Sequence, residues 1–233
     1  MTLIGPDKWY DLALDNAKVL VQNPQYAHYT DVETAVSESA WPGLTATTAD
    51  AGTDATHITD TTDTPFLEAT IATVIGYKVY SIIEGTYGNV LDFISTSEIH
   101  TTGGTVADWS SDTYKMPVAK TWVIPMDSYN LLTMHYRLTA DTNTTYIMKV
   151  FGTLDSSAVV DVETNWVDLT NDIFGATTVE ADGIAAGDTV VTEGLKVLDT
   201  PSPMLKYMIK IVAEGNLAAA TASSATVFIR KSS

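Results

Sequence analysis

Histidines and carboxylates are the side chains of this chain that could do chemistry. The histidines are His28, His57, His100 and His135. They are dispersed, and no two of them stand at the spacing of a metal-binding motif. Glu98 and His100 would share one face if residues 93–101 are extended, but two ligands do not make a zinc site, which needs three or four. The pattern therefore predicts an ordinary polar strand face and no metal centre.

Two stretches are rich in the oxygen ligands that calcium prefers. The carboxylates concerned are Asp50, Asp54, Asp60 and Asp63 in a threonine-rich stretch, and Glu180, Asp182 and Asp188 in a glycine-containing one. Neither stretch follows the D-x-[DN]-x-[DN]-G spacing of a calcium loop. Because carboxylates in loops are usually solvated, no metal and no cofactor is expected.

Motifs of catalysis are missing from the sequence. It contains no G-x-S-x-G, no H-E-x-x-H, no phosphate-binding loop and no dinucleotide fingerprint. A glycosidase needs two facing carboxylates, and nothing in the sequence singles out a pair. A glycan-binding module would expose aromatic side chains, for which the candidates are Tyr87, Trp109, Tyr114 and Trp166. An enzyme is therefore not expected, and glycan binding stays an alternative.

Charge and composition narrow the range of partners. The chain has 233 residues and a net charge of −17, and only Arg137 and Arg230 supply guanidinium groups. Nucleic acids and anionic membranes both select for clustered cations, so neither is an expected partner. The absence of cysteine excludes disulfides and thiolate chemistry. Residues 1–8 lack signal-peptide features and no apolar run could span a bilayer, so the sequence predicts a soluble protein assembled in the cytoplasm.

The N-terminal quarter of the chain is predicted to differ from the rest. One helix is expected from Pro6 to Gln22, with an apolar stripe that includes Trp9, Leu12 and Leu20. Residues 25–65 show no periodicity, and Thr, Ala and Asp dominate residues 45–64, which predicts an extended arm or surface loop. The expected division is therefore a helix and arm at 1–62, followed by one β domain at 63–233.

Strand signals then continue to the end of the chain. About ten short strands without interleaved helices predict a mainly β fold, an antiparallel sandwich or jelly roll. The expected segments are 66–75 (with a helix as the competitor), 77–84, 89–95, 120–126, 131–139, 145–151, 158–162, 166–169, 189–198, 204–214 and 225–231, with loops at 85–88, 99–115 and 180–187. Period-two alternation at 204–214 places Leu205, Tyr207, Ile209 and Ile211 inside, and Lys206, Lys210 and Glu214 in solvent.

The order of segments over residues 121–231 resembles known proteins. A strand that ends in Phe151-Gly-Thr-Leu is followed by Asn165-Trp-Val-Asp-Leu-Thr, then by a loop, then by the strands at 204–214 and 225–231. This order is similar to that of β-sandwich virion proteins of tailed bacteriophages. The resemblance implies a structural protein, and it carries over no catalytic residues.

The leading hypothesis is a non-enzymatic virion protein, assembled in the host cytoplasm, that decorates or cements a capsid. It would form a homo-oligomer, with a trimer as one option, and would bind other virion proteins such as the major capsid protein. Its expected anchors are the large apolar and aromatic residues of the N-terminal segment: Trp9, Leu12, Leu20, Tyr26, Tyr29 and Trp41. A tail or baseplate component and a glycan-binding module are the alternatives.

Overall fold

The computed structural model describes residues 26–31, 47–51, 54–102, 106–126, 131–159, 163–198, 204–215 and 223–232. Within these ranges the fold is mainly β, with antiparallel sheets and short helices. The strands are β1 (Tyr26–Asp31), β2 (Thr47–Thr48), β3 (His57–Thr59), β4 (Lys78–Ser81), β5 (Thr86–Ser95), β6 (Glu98–Thr102), β7 (Thr113–Lys115), β8 (Val118–Pro125), β9 (Leu131–Ala140), β10 (Thr144–Thr153), β11 (Val167–Asp168), β12 (Val179–Asp182), β13 (Val190–Leu198), β14 (Lys206–Gly215) and β15 (Ser224–Ser232). The helices are α1 (Glu68–Ala72), α2 (Thr170–Phe174) and α3 (Gly183–Ala186).

A four-stranded antiparallel sheet has the order β1-β15-β9-β13. Apolar and polar residues alternate along strand β9, and this alternation determines which face of the sheet is turned to the core. Leu132, Met134, Tyr136 and Leu138 are buried on one side, as the sequence predicts. Strand β13 is predicted almost to the residue, and it forms one end of this sheet within the described part of the chain.

A five-stranded sheet faces the first one. Strand β14 lies between β10 and β8, and the two short strands β11 and β12 both pair with β10 on its other side. Inward residues of both sheets form one hydrophobic core, which includes Trp122, Ile124, Met134, Tyr136, Leu138, Tyr146, Met148, Val150, Tyr207, Ile209, Ile211, Val227 and Ile229. At roughly 1.5–3 kcal/mol for each large side chain, this core is the main stabilising element of the two sheets.

The segment between β1 and β8 forms a six-stranded sheet of its own, with the order β2-β7-β4-β5-β6-β3. Helix α1 packs against it, and the two share a second core around Ile58, Phe66, Val79, Ile99 and Trp109. Because β1 belongs to the four-stranded sheet and β8 to the five-stranded sheet, this unit is inserted within the chain of the first two sheets.

This arrangement corrects the interpretation of residues 45–64 as an arm or surface loop. Strand β2 pairs with β7, and β3 pairs with β6. Ile58 of β3 is fully buried. This one large apolar residue therefore anchors a polar segment on the second core. The boundary expected near residue 63 therefore falls inside the six-stranded unit. The predicted helix at 6–22 lies outside the described residues.

Several local predictions are also corrected. Residues 66–75 contain helix α1 where a strand was expected, and residues 99–115 and 180–187 contain β6, β7, β12 and α3 in place of loops. The first hairpin turns at 82–85, so residues 86–88 belong to β5. No strand forms at 158–159, the described part of the expected strand at 158–162.

At 204–214 the inward prediction is confirmed for Tyr207, Ile209 and Ile211, whereas Leu205 is 43% exposed because it precedes the strand.

Gly183 lies where two segments of the backbone come close together. It is the first residue of α3, whose N-cap Asp182 accepts a hydrogen bond from the backbone N–H of Ala185 at 2.9 Å. A Cβ atom at position 183 would lie 1.6 Å from the carbonyl oxygen of Asp141, in the turn between β9 and β10. Only glycine fits there without a backbone shift.

Gly183→Ala should therefore destabilise the fold by about 3 kcal/mol or more, at the upper end of overpacking costs. Gly175→Ala is the matched control, since a Cβ there would meet nothing within 4 Å. Its cost should be about 1–2 kcal/mol, because the residue adopts a left-handed conformation at φ 75°. Urea unfolding of both variants measures the difference, and equal losses would contradict the steric argument.

Candidate functional site

A cleft of about 700 Å3 lies between the inserted unit and the outer face of the five-stranded sheet. The loop from α1 to β4 forms one wall, and strands β10, β12 and β14 form the other. The charged residues that line it are Lys78, Lys149, Lys210, Asp168, Glu180 and Glu214. Three cations and three carboxylates thus meet in one place, in a chain whose net charge is −17.

Glu214 is the most deeply buried of these groups, with 2% of its side chain exposed. One carboxylate oxygen, Oε1, accepts a hydrogen bond from the backbone N–H of Lys78 at 2.7 Å. The other, Oε2, accepts no hydrogen bond and lies 3.8 Å from Lys78 Nζ. Burial raises the pKa of Glu214 to about 7, although both contacts with Lys78 oppose the shift. Glu214 therefore joins the two units and titrates near neutral pH.

Lys149 and Lys210 lie directly opposite each other on β10 and β14. Two ammonium groups on adjacent strands repel each other unless other groups compensate. Lys149 Nζ lies 3.4 Å from Asp168 Oδ2, and Lys210 Nζ lies 5.4 Å from the centre of the Tyr77 ring. An ion pair and a cation–π contact thus hold these lysines on a sheet face that the inserted unit covers.

Two further carboxylates of the cleft respond differently to their surroundings. Burial and then the nearby Asp182 raise the pKa of Glu180. Burial also opposes ionisation of Asp168, but hydrogen bonds from Thr170 and the Lys149 ammonium lower its pKa. The cleft is therefore a polar junction in which lysines and carboxylates meet, and it joins the inserted unit to the five-stranded sheet.

A second surface lies on the outer face of the four-stranded sheet, and we call it the assembly face. Its described side chains are Thr133, His135, Arg137, Thr139, Val191, Glu193, Leu195, Val197, Thr226 and Phe228. Val191, Leu195 and Val197 are 45%, 64% and 55% exposed, and they follow one another along the end strand β13. The rings of His135 and Phe228 stack beside them at 5.5 Å. Clustered apolar side chains of this kind mark interaction surfaces.

The described side chains of the assembly face carry no net charge apart from the histidine. Arg137 and Glu193 are its two described ions, and Arg137 Nε lies 3.7 Å from Glu193 Oε2. The Cα atom of Arg230 lies on the same face, opposite that of Thr133. The described part of this face therefore lacks the excess of negative charge that the chain as a whole carries.

The anchors expected from the sequence are only partly within the described residues. Tyr26 and Tyr29 lie on β1, where their Cα atoms stand opposite those of Arg230 and Val227 of β15. Trp9, Leu12, Leu20 and Trp41 lie outside the described residues. Strand β1 is paired along its full length, so this part of the expected arm is the edge of the four-stranded sheet.

Aromatic residues considered for glycan binding are mostly internal. Trp109, Tyr114 and Trp166 are 0%, 0% and 6% exposed. The indole of Trp109 donates to the Thr101 hydroxyl at 3.1 Å, and the Tyr114 hydroxyl donates to Asp60 at 3.1 Å. Trp109 and Tyr114 belong to the core of the inserted unit, and Trp166 packs with Phe151 and Met208. Buried in this way, the three side chains cannot stack on a sugar.

Carboxylates considered for calcium do not converge. Asp50 accepts hydrogen bonds from the backbone and hydroxyl of Thr61, and Asp60 accepts from Tyr114 and from the backbone of Asp63. Within the described ranges no group of three or more histidine, aspartate and glutamate side chains is placed to hold a metal ion. The structure does bring together His57 and His100, a pair that their spacing in the sequence did not reveal.

No protein-family model, curated protein or solved structure gives a significant match to this chain. Among the described residues, no helix combines the length and apolar character needed to cross a membrane. The surfaces and the strand order of the protein are therefore the observations that bear on its function.

Glu214 should make stability depend on pH in a defined direction. Its pKa is about 7 when folded against 4.5 as the ordinary value, so between these pH values the folded state binds the additional proton. Its contribution is complete below about pH 4.5 and is lost as the pH rises to 7. At roughly 1.4 kcal/mol for each pKa unit, the loss is about 3 kcal/mol.

Glu214→Gln should remove this dependence, because an amide keeps the acceptor for the Lys78 N–H and carries no charge. The measurement is the free energy of urea unfolding at pH 5 and pH 8 for both proteins. Glu68→Gln, at an exposed position of α1, is the control and should follow the original protein. Identical pH profiles for all three proteins would show that Glu214 is not perturbed.

Proposed function

We propose that this protein is a non-enzymatic structural subunit of a virus particle, most consistent with a capsid decoration protein that associates with copies of itself. Its two facing sheets would form a β-sandwich of the jelly-roll type, with the six-stranded unit inserted after the first strand. The proposal depends on the strand order and on the assembly face.

Strand order is the observation that supports the fold part of the proposal. With β11 and β12 counted together as one interrupted strand, the strands of the two sheets are β1, β8, β9, β10, β11/β12, β13, β14 and β15. In that count the four-stranded sheet has the order first, eighth, third, sixth. The five-stranded sheet has the order second, seventh, fourth, fifth. Each sheet alternates early and late strands in the manner of a double Greek key, which is the plan of a jelly roll.

Jelly rolls serve as capsid proteins, lectins and cupins, so the fold by itself does not decide among functions. The core between the two sheets is filled by large side chains such as Trp122, Tyr146 and Tyr207. Of the four aromatic residues considered for glycan binding, three are buried: Trp109, Tyr114 and Trp166. The assembly face, with its exposed apolar side chains, instead supports contact between subunits.

The expected occupant of the assembly face is a second copy of this chain. Covering Val191, Leu195 and Val197 would remove three large aliphatic side chains from water, at about 25 cal/mol for each Å2 buried. Because the described ions of this face balance each other, two acidic subunits repel each other less there than elsewhere. The order of segments over residues 121–231, which resembles that of tailed-bacteriophage virion proteins, led to the same expectation.

Localisation in particles tests the virion proposal directly. Mass spectrometry of purified particles should detect the protein, and immunogold labelling should place it on the capsid. Label on the tail would instead show that the protein is a tail or baseplate component. Absence from particles would overturn the virion assignment.

Leu195→Glu should weaken self-association at least ten-fold, because it places a charge among the exposed aliphatic residues of the assembly face. Ile83→Glu is the matched control, since Ile83 is 67% exposed in the turn after β4, on a different part of the surface. Sedimentation equilibrium measures the association constants, and circular dichroism confirms that both variants fold. Equal association of the two variants would show that copies meet elsewhere.

Removing residues 1–25 should leave a folded protein that no longer binds particles, because every described strand remains and the expected anchors Trp9, Leu12 and Leu20 are lost. Removing residues 1–62 should prevent folding, because it deletes β1, β2 and β3 together with buried Ile58. Co-sedimentation with particles and thermal unfolding measure the two effects. Undiminished particle binding after the shorter deletion would exclude the N-terminal anchors.

A further inference from the structure

His57 and His100 form a pair that sequence spacing gave no reason to expect. They are Cα partners on β3 and β6, and their rings meet edge to face with centroids 4.3 Å apart. The next partners along these strands, Ile58 and Ile99, are completely buried on the opposite side of the sheet. This buried pair fixes the register, because a slip of β3 by one residue would turn Ile58 to solvent.

Each imidazole is held by a carboxylate through the same ring nitrogen. His57 Nδ1 lies 3.0 Å from Asp54 Oδ1, and His100 Nδ1 lies 2.7 Å from Asp92 Oδ1. Asp54 Oδ1 also accepts hydrogen bonds from the backbone N–H and the hydroxyl of Thr56, both at 2.7 Å, which hold this carboxylate in place. A carboxylate that accepts from Nδ1–H fixes the tautomer in which Nε2 carries the lone pair.

Neither Nε2 atom takes part in a hydrogen bond with the described residues. The two side chains are 33% and 35% exposed, so their rings are anchored but remain open to solvent. A carboxylate on one nitrogen and a free lone pair on the other is the arrangement of metal-ligating histidines in proteins.

We propose that His57 and His100 together bind one divalent transition-metal ion, such as Zn2+, Ni2+ or Cu2+, through their Nε2 atoms. Two nitrogens bound at about 2.1 Å to one tetrahedral ion lie about 3.4 Å apart. When both Nε2 lone pairs point at one ion, the two ring centroids lie about 5 Å apart, so these rings, with centroids 4.3 Å apart, must turn and separate by roughly 1 Å. The partial exposure of both side chains leaves room for this movement. Imidazole suits these ions, whereas Mg2+ and Ca2+ select oxygen ligands.

No third protein ligand joins the pair within the described ranges. Water or a ligand from another molecule would therefore fill the remaining positions, and the site would be weaker than a structural zinc centre. Binding would connect end strand β3 to β6 and stabilise the inserted unit by mass action. Asp54 and Asp92 are positioning residues that orient the two ligands.

Isothermal titration of the full-length protein, prepared without a histidine tag, tests the site. ZnCl2 and NiCl2 should bind with one saturable ion per chain, and MgCl2 should not compete. His57→Gln and His100→Gln should each weaken binding at least ten-fold. Glu68→Gln is the control, since this exposed carboxylate lies on α1 of the same unit and outside the histidine pair, so its loss should leave affinity unchanged.

Two further measurements separate ligation from folding. With Cu2+, electron paramagnetic resonance should show coupling to two nitrogens, reduced to one in either glutamine variant. Asp92→Asn should lower affinity ten-fold or more while both nitrogens remain bound. Thermal unfolding without metal shows whether each variant folds. Absence of saturable binding, or equal binding by the original protein and a folded double variant, would overturn the proposal.

Discussion

Burial of strand β14 on both of its faces is the constraint on which the rest of the structure depends. It lies between β10 and β8, with Tyr207, Ile209 and Ile211 in the core between the two facing sheets. The opposite face carries Lys210 and Glu214, which are 4% and 1% exposed. Burying ions without partners costs far more than a hydrophobic contact returns, so the covering layer must be polar at these points.

That covering layer is the inserted unit, and it is fitted to the ions beneath it. Lys78 binds Glu214 through its backbone, and Tyr77 places its ring beside the Lys210 ammonium. The unit has its own core around Ile58, Val79 and Trp109, so it is held together by its own packing as well as by its contact with the five-stranded sheet. A chain segment of this kind can be inserted after the first strand because β1 remains tied to β15 by a complete ladder.

The two ends of the molecule therefore present different chemistry. On the four-stranded sheet, Val191, Leu195 and Val197 leave an exposed apolar surface, and its described ions Arg137 and Glu193 balance each other. On the six-stranded sheet, His57 of end strand β3 and His100 of β6 form a pair held by Asp54 and Asp92. The first surface is our proposed site of self-association, and the second is our proposed metal site.

The sequence by itself determined where the long strands lie. Strand β9 was predicted closely because its one buried face imposes a period of two, and β10, β13 and β14 were predicted closely because β-branched and apolar residues run through them between turn signals. Tertiary structure alone decided which strands are neighbours. It placed β14 and β15 in different sheets, moved β1 from an expected arm into a sheet edge, and brought His57 beside His100 across 43 positions of sequence. Pairing between distant strands depends on register and on the second face of each sheet, which local periodicity does not encode. For the same reason Lys210 and Glu214, polar and apparently solvent-facing in the sequence, proved to be buried.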